Sequence, residues 1–131
     1  MTKITSAQWV LPTGFTPTVT GITGGTVGGA YWVTGATCFV EATLTWSSAP
    51  TFGSSGIRVS LPVAATTGDD PIGPGILQNG TSYYPLLGYL AGGVANFFLL
   101  TGTPSQISGN IATLTAAATG RLRVQFSYRC A

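Results

Sequence analysis

The sequence predicts an all-β domain: an antiparallel β-sandwich or jelly roll with a short extended N-terminal arm. Three observations carry the prediction. Two ten-residue segments, 37–46 and 121–130, alternate apolar and polar side chains with a period of two, the spacing of a half-buried strand. Short runs rich in β-branched and aromatic residues recur between them, punctuated by Gly and Pro. No segment shows the 3.6-residue periodicity of a helix of normal length; the nearest candidate, ATLTAAATG, is short and Thr-rich.

Residues 1–14 contain two large apolar side chains, Trp9 and Leu11, and no periodicity. They are read as an extended arm that packs on a neighbouring subunit or partner rather than on its own core. The sandwich domain is assigned to residues 15–131. FTPTVTG (Phe15 to Gly21) and AYWVTG (Ala30 to Gly35) are its first strands. TCFVEATLTW follows, with Cys38, Val40, Ala42, Leu44 and Trp46 on one face and Thr37, Glu41, Thr43 and Thr45 on the other. Phe39 is the exception on the polar face. GIRVSLPV (Gly56 to Val63), SYYPLLGYL (Ser82 to Leu90), VANFFLLTG (Val94 to Gly102) and NIATLTAA (Asn110 to Ala117) continue the set. The last strand places Leu122, Val124, Phe126, Tyr128 and Cys130 opposite Arg121, Arg123, Gln125, Ser127 and Arg129. Gly24-Gly25, Gly28-Gly29, Gly92-Gly93 and Gly109-Asn110 supply turn chemistry. Pro62 and Pro85 cannot donate to a ladder, so they mark strand ends, bulges or edges.

Charge is the unusual quantity. Only 6% of the 131 residues are charged, against about 25% in ordinary globular chains. Hydrophobic residues make up 44%, which excludes a disordered tail. A surface built from Gly, Thr and Ser fits a protein partly covered in an assembly, and also an extracellular module that faces sugars. The formal net charge of +2 and the sparse basic residues, Lys3, Arg58, Arg121, Arg123 and Arg129, argue against a nucleic-acid partner. The longest apolar stretch, Pro85 to Leu100, is broken by Gly88, Gly92, Gly93 and Asn96, so no membrane helix is expected. The opening MTKITSAQWVLPTG lacks the apolar region of a secretory leader, and synthesis in the cytoplasm is expected. Cys38 and Cys130 both fall on apolar strand faces; two buried free thiols are the simpler reading, a disulfide the alternative.

The side-chain inventory argues against an enzyme. The chain has no His and three carboxylates, Glu41, Asp69 and Asp70, so the usual general base and nucleophile partner is missing. Glu41 sits on a polar strand face as a solvated or Arg-paired group. Asp69 and Asp70 are adjacent in TGDDPIGPG, which lacks the further oxygen ligands of a calcium site. Gly-rich GITGGTVGG lacks the Lys and the helix of a phosphate loop. No catalytic, cofactor-binding or metal-binding residues are assigned, and no cofactor is expected. Contact surfaces are more promising. In the adjacent pairs Tyr31-Trp32 and Tyr83-Tyr84 one member of each must face away from the core, and outward aromatics serve protein partners and sugars alike. Arg121, Arg123 and Arg129 form a stripe on the outer face of the last strand, either protecting a sheet edge or docking on an acidic surface. Candidate interface residues are therefore Trp9, Leu11, Tyr31, Tyr83, Arg121, Arg123 and Arg129.

The order FTPTVTG, GAYWVTGATCFVEATLTW, SGIRVSLPVAA, PIGPGILQNGTSYYPLLGYL and RLRVQFSYRCA resembles a β-sandwich structural module of tailed bacteriophages. In that group a Thr/Pro-rich first strand leads to an aromatic strand, a long strand ending in Trp and one ending "SLPV". The likeness covers roughly residues 15–131 and brings no catalytic residues with it. It implies a virion structural protein of the capsid-decoration or minor-tail and fibre type. With the module beginning almost at Met1 and no stalk before it, the expectation is a capsid decoration (cement) protein. It would be homotrimeric, bind the major capsid protein on the exterior of the assembled shell, and stabilise it. The alternative is a tail-tip or tail-fibre module that binds a host-surface glycan or receptor.

Overall fold

In the computed structural model the residues described are 11–53, 56–66, 71–100, 107–108 and 114–130. Trp9, Asp69 and Asp70 lie outside them. Among the described residues twelve strands are present: β1 (Thr13–Phe15), β2 (Val19–Thr20), β3 (Ile22–Thr23), β4 (Thr26–Thr34), β5 (Thr37–Trp46), β6 (Thr51–Phe52), β7 (Ile57–Val59), β8 (Gly75–Asn79), β9 (Ser82–Ala91), β10 (Val94–Leu100), β11 (Ile107–Ser108) and β12 (Gly120–Arg129). No helix occurs among the described residues. The fold is all-β and antiparallel, as the alternation predicts.

One large sheet runs in the order β1-β4-β5-β12-β8-β9-β10-β7-β2, with β11 added to β10; β3 and β6 form a separate two-stranded sheet. The chain connectivity forces this sheet to curl. Strands β1 and β2 stand at opposite ends of the order, yet Phe15 and Val19 are four residues apart, a reach of at most about 14 Å. The two halves therefore face each other like the layers of a sandwich. Phe97 of β10 meets Phe126 of β12 with ring centroids 5.8 Å apart, although two strands intervene between them in the sheet.

The concave face holds the core. Cys38, Val40, Ala42, Leu44 and Trp46 of β5 are buried together with Leu122, Val124, Phe126 and Tyr128 of β12. Ile57, Val59, Leu77, Leu86, Leu90, Ala95, Phe97 and Leu99 complete it from the facing half. The two long alternating segments are thus neighbours in register, Leu122 opposite Leu44 and Tyr128 opposite Cys38. The small sheet closes one end, where Phe52 meets Trp46 edge-on at 5.9 Å.

Several elements differ from their sequence reading. Gly28-Gly29 is not a turn but lies inside β4, because Phe15 packs where a Gly29 side chain would stand, 2.8 Å from its Cβ position. The segment FTPTVTG divides into two edge strands instead of one. Residues 114–117 are not a strand; they form an irregular segment pinned by Asn79, whose amide donates to the Thr115 carbonyl (2.8 Å) and accepts from the Ala117 N–H (2.7 Å). Strand β8, absent from the sequence reading, fills the place beside β12. The boundary drawn at residue 14 falls inside β1. Pro62 lies in a bend three residues beyond β7, and Pro85 lies inside β9 where only β8 is paired to it. Gly92-Gly93 is the expected two-residue turn, both residues at positive φ (62° and 76°).

Cys38 and Cys130 are buried free thiols. Cys130 stands beside Ala36, its N–H donating to the Ala36 carbonyl at 2.8 Å, while Cys38 stands opposite Tyr128. The two thiols are diagonal neighbours, a spacing of about 7–8 Å between Cα atoms that a disulfide does not span without backbone movement.

Candidate interaction surface

Every strand with a buried inner row carries an outer row, and the register fixes which residues share it. Arg129 lies level with Thr37; Ser127 with Phe39 and Trp32; Gln125 with Glu41 and Ala30; Arg123 with Thr43 and Ile76; Arg121 with Thr45 and Gln78. From β8 the rows continue to β9, Ile76 to Pro85 and Gln78 to Tyr83.

Arg121, Arg123 and Arg129 are all exposed, as the alternation predicts. Their strand is not an edge. β12 is bonded to β5 on one side and β8 on the other, and the Arg129 carbonyl accepts from the Thr66 N–H at 3.1 Å. Edge protection is therefore not their role. Opposite each of them on β5 stands a threonine, while Glu41 accepts a hydrogen bond from Gln125 at 3.3 Å instead of pairing with an arginine.

Two apolar features share this outer face. On β8 and β9, Ile76 is 51% exposed, Tyr83 66% and Leu87 44%, forming an apolar patch beside Arg121 and Arg123. On β4 and β5, Trp32 stacks on Phe39 with ring centroids 5.5 Å apart and planes within 9°. Beside that pair is a shallow depression of about 410 Å³ between Phe39, Glu41, Gln125, Ser127 and Gly73. A second parallel pair, Tyr89 and Phe98, lies further round the sheet at 5.1 Å.

Of the residues singled out from sequence, Tyr83 faces outward, whereas Tyr31 is half-buried and packs edge-on against Phe15 at 5.7 Å. Trp32 is the outward member of its pair. Leu11 is 79% exposed at the start of the described chain. Sequence reading passed over Ile76 and Leu87, whose strands carry no simple alternation. The signal for the Trp32–Phe39 pair was present, because Phe39 interrupts the polar row of its strand.

On the inner face, the Tyr128 hydroxyl donates to the Val63 carbonyl (2.6 Å) and accepts from the Val63 N–H (3.3 Å). Burial pushes the Tyr128 phenol well above its ordinary range, reinforced by the neighbouring Cys38 thiol and partly offset by the Val63 bond. Burial likewise raises the Cys38 thiol, against a smaller lowering influence of the neighbouring Tyr128 hydroxyl. No group of three or more metal-ligating side chains occurs among the described residues. No helix long and apolar enough to cross a membrane occurs among the described residues. No family model, curated protein or solved structure matches the chain.

Proposed function

We propose that this domain is a non-catalytic structural protein of a tailed-phage virion, and that it decorates the capsid exterior and stabilises the assembled shell. The observation that carries this reading is the outward patch of Ile76, Tyr83 and Leu87 beside Arg121 and Arg123. Exposed apolar side chains rimmed by arginine have the composition of a protein-binding surface. The sparse charge of the chain supports an assembled setting in which much of the surface is covered. The partner is the major capsid protein and the decorating species a homotrimer. Binding the assembled shell in preference to free subunits stabilises that shell by mass action.

The test adds purified protein to capsids that lack it. Capsids are expected to assemble without the protein but rupture at lower temperature, and added protein restores their resistance. A Tyr83→Ala/Leu87→Ala variant should sediment poorly with capsids while unfolding like the parent. A second reading, a tail module that binds a host-surface glycan, is favoured by the Trp32–Phe39 pair and its polar neighbours. Robust particles that no longer adsorb to the host, with the protein at low copy number, would select that reading.

A further inference from the structure

The depression beside Trp32 and Phe39 has a chemistry separate from the Ile76–Tyr83 patch, and its argument does not depend on where in a virion the domain sits. Two adjacent rows build it. In the first, Trp32, Phe39 and Ser127 stand side by side across β4, β5 and β12. Phe39 has Trp32 stacked on one flank. On its other flank Ser127 is too small to cover the ring. In the second row, Glu41 and Gln125 are joined by one hydrogen bond of 3.3 Å. That bond uses one amide hydrogen of Gln125 and one carboxylate oxygen of Glu41. The Gln125 side-chain carbonyl oxygen, its second amide hydrogen and the other Glu41 oxygen remain as two acceptors and a donor. Gly73 forms the far wall, its backbone lying so close to β12 that a side chain there would collide with the backbone carbonyl of Gln125.

An aromatic face presents negative charge density and attracts weakly positive C–H groups. An amide beside a carboxylate presents paired acceptors and donors to vicinal hydroxyls. A ligand for both needs one apolar C–H face and an edge of hydroxyl groups. Charge narrows the class further. Glu41 opposes an anion, and Arg123 and Arg129 oppose a cation, each two residues along β12 from the site, about 7 Å. A wholly apolar ligand would desolvate the remaining Glu41 oxygen and Gln125 amide groups without offering them a partner. We propose that this slot binds a neutral pyranose ring, its C–H face on Phe39 and its hydroxyls on Glu41 and Gln125.

The test titrates the full-length protein, isotopically labelled, with methyl glycosides of glucose, galactose, mannose and N-acetylglucosamine. Amide NMR spectra report the binding. At least one glycoside should shift the Gln125 side-chain amide and the backbone signals of Phe39 and Ser127, with a millimolar dissociation constant. Gln125→Leu, on the solvent face, keeps the ring platform and should weaken binding by about tenfold. Ser127→Phe fills the slot and should abolish it. The Ile76–Tyr83 patch should give no shifts. If no glycoside moves these signals at saturating millimolar concentration, or if binding survives Ser127→Phe, the proposal is overturned. Capsid binding plays no part in the measurement, so this result and that of the shell experiment stand apart.

Discussion

Tyr128 links two segments distant in sequence on the inner face. Its hydroxyl satisfies both the N–H and the carbonyl of Val63, which ties the segment after β7 to the far end of β12. Tyr128→Phe should therefore cost about 1–3 kcal/mol, because two backbone groups lose their partner in a partly buried site; urea unfolding at neutral pH measures it. The same residue predicts alkaline behaviour. For Tyr128 and Cys38 the folded protein holds the proton more tightly than the unfolded chain does. Their contribution is whole below the ordinary values of 10.0 for Tyr128 and 9.0 for Cys38 and declines as pH rises above them. The melting temperature should stay level near neutrality and fall above about pH 9, less steeply in Tyr128→Phe. Both thiols should react slowly with an aromatic disulfide reagent in native protein and fully in denaturant.

At the scale of elements, legibility followed the chemistry that specifies each segment. Strands β5 and β12 were readable because one face is core and the other solvent, so the alternation is strict in β12 and broken only by Phe39 in β5. The terminal boundary of β5 at Trp46 and the outward Arg row of β12 came with it. Strand β8 was hidden, since PIGPGILQN is short and rich in Gly and Pro, and its place depends on pairing with β12 and β9. Residues 114–117 read as strand from composition, but Asn79 offers their backbone a better partner than a ladder, and Trp46 donates its indole N–H to Ala117 at 3.0 Å. Gly28-Gly29 read as a turn because the residue facing it, Phe15, is distant in sequence. Asn79→Ala should cost about 1–3 kcal/mol and raise amide exchange in residues 114–119 more than in β5. Gly120 gives a complementary prediction. It stands opposite Trp46, whose ring covers the position a side chain would take, with the Gln78 carbonyl on the other side. Gly120→Ala should destabilise by about 1–3 kcal/mol through overpacking, visible as a lower urea midpoint with an unchanged slope.

Among the described residues one large sheet wraps around the core beside a small two-stranded one, and the large sheet presents its convex face for contact. Electrostatics on that face is simple because there is so little charge. Three arginines sit on a central strand, threonines stand beside them on β5, and Glu41 is held by Gln125. A partner approaching along β8 and β9 therefore meets Arg121 and Arg123 at the rim of an apolar patch. Charges at such a rim act mainly on the rate of encounter and its sensitivity to salt, while the apolar centre governs how long the complex lasts. Double reversal, Arg121→Glu with Arg123→Glu, changes the sign of the chain's net charge of +2. Neither side chain touches the core, so the variant should fold and melt close to the parent. Under the proposed docking on an acidic-rimmed shell, its association rate should fall several-fold at low ionic strength. The difference should shrink as salt approaches about 1 M, where the Debye length contracts to about 3 Å. The dissociation rate should change little. Tyr83→Ala/Leu87→Ala should show the reverse pattern, a faster dissociation with a nearly unaltered salt dependence. If the arginine reversal leaves the association rate and its salt slope untouched, the stripe is not part of the docking surface, and contact must be sought elsewhere on the convex face.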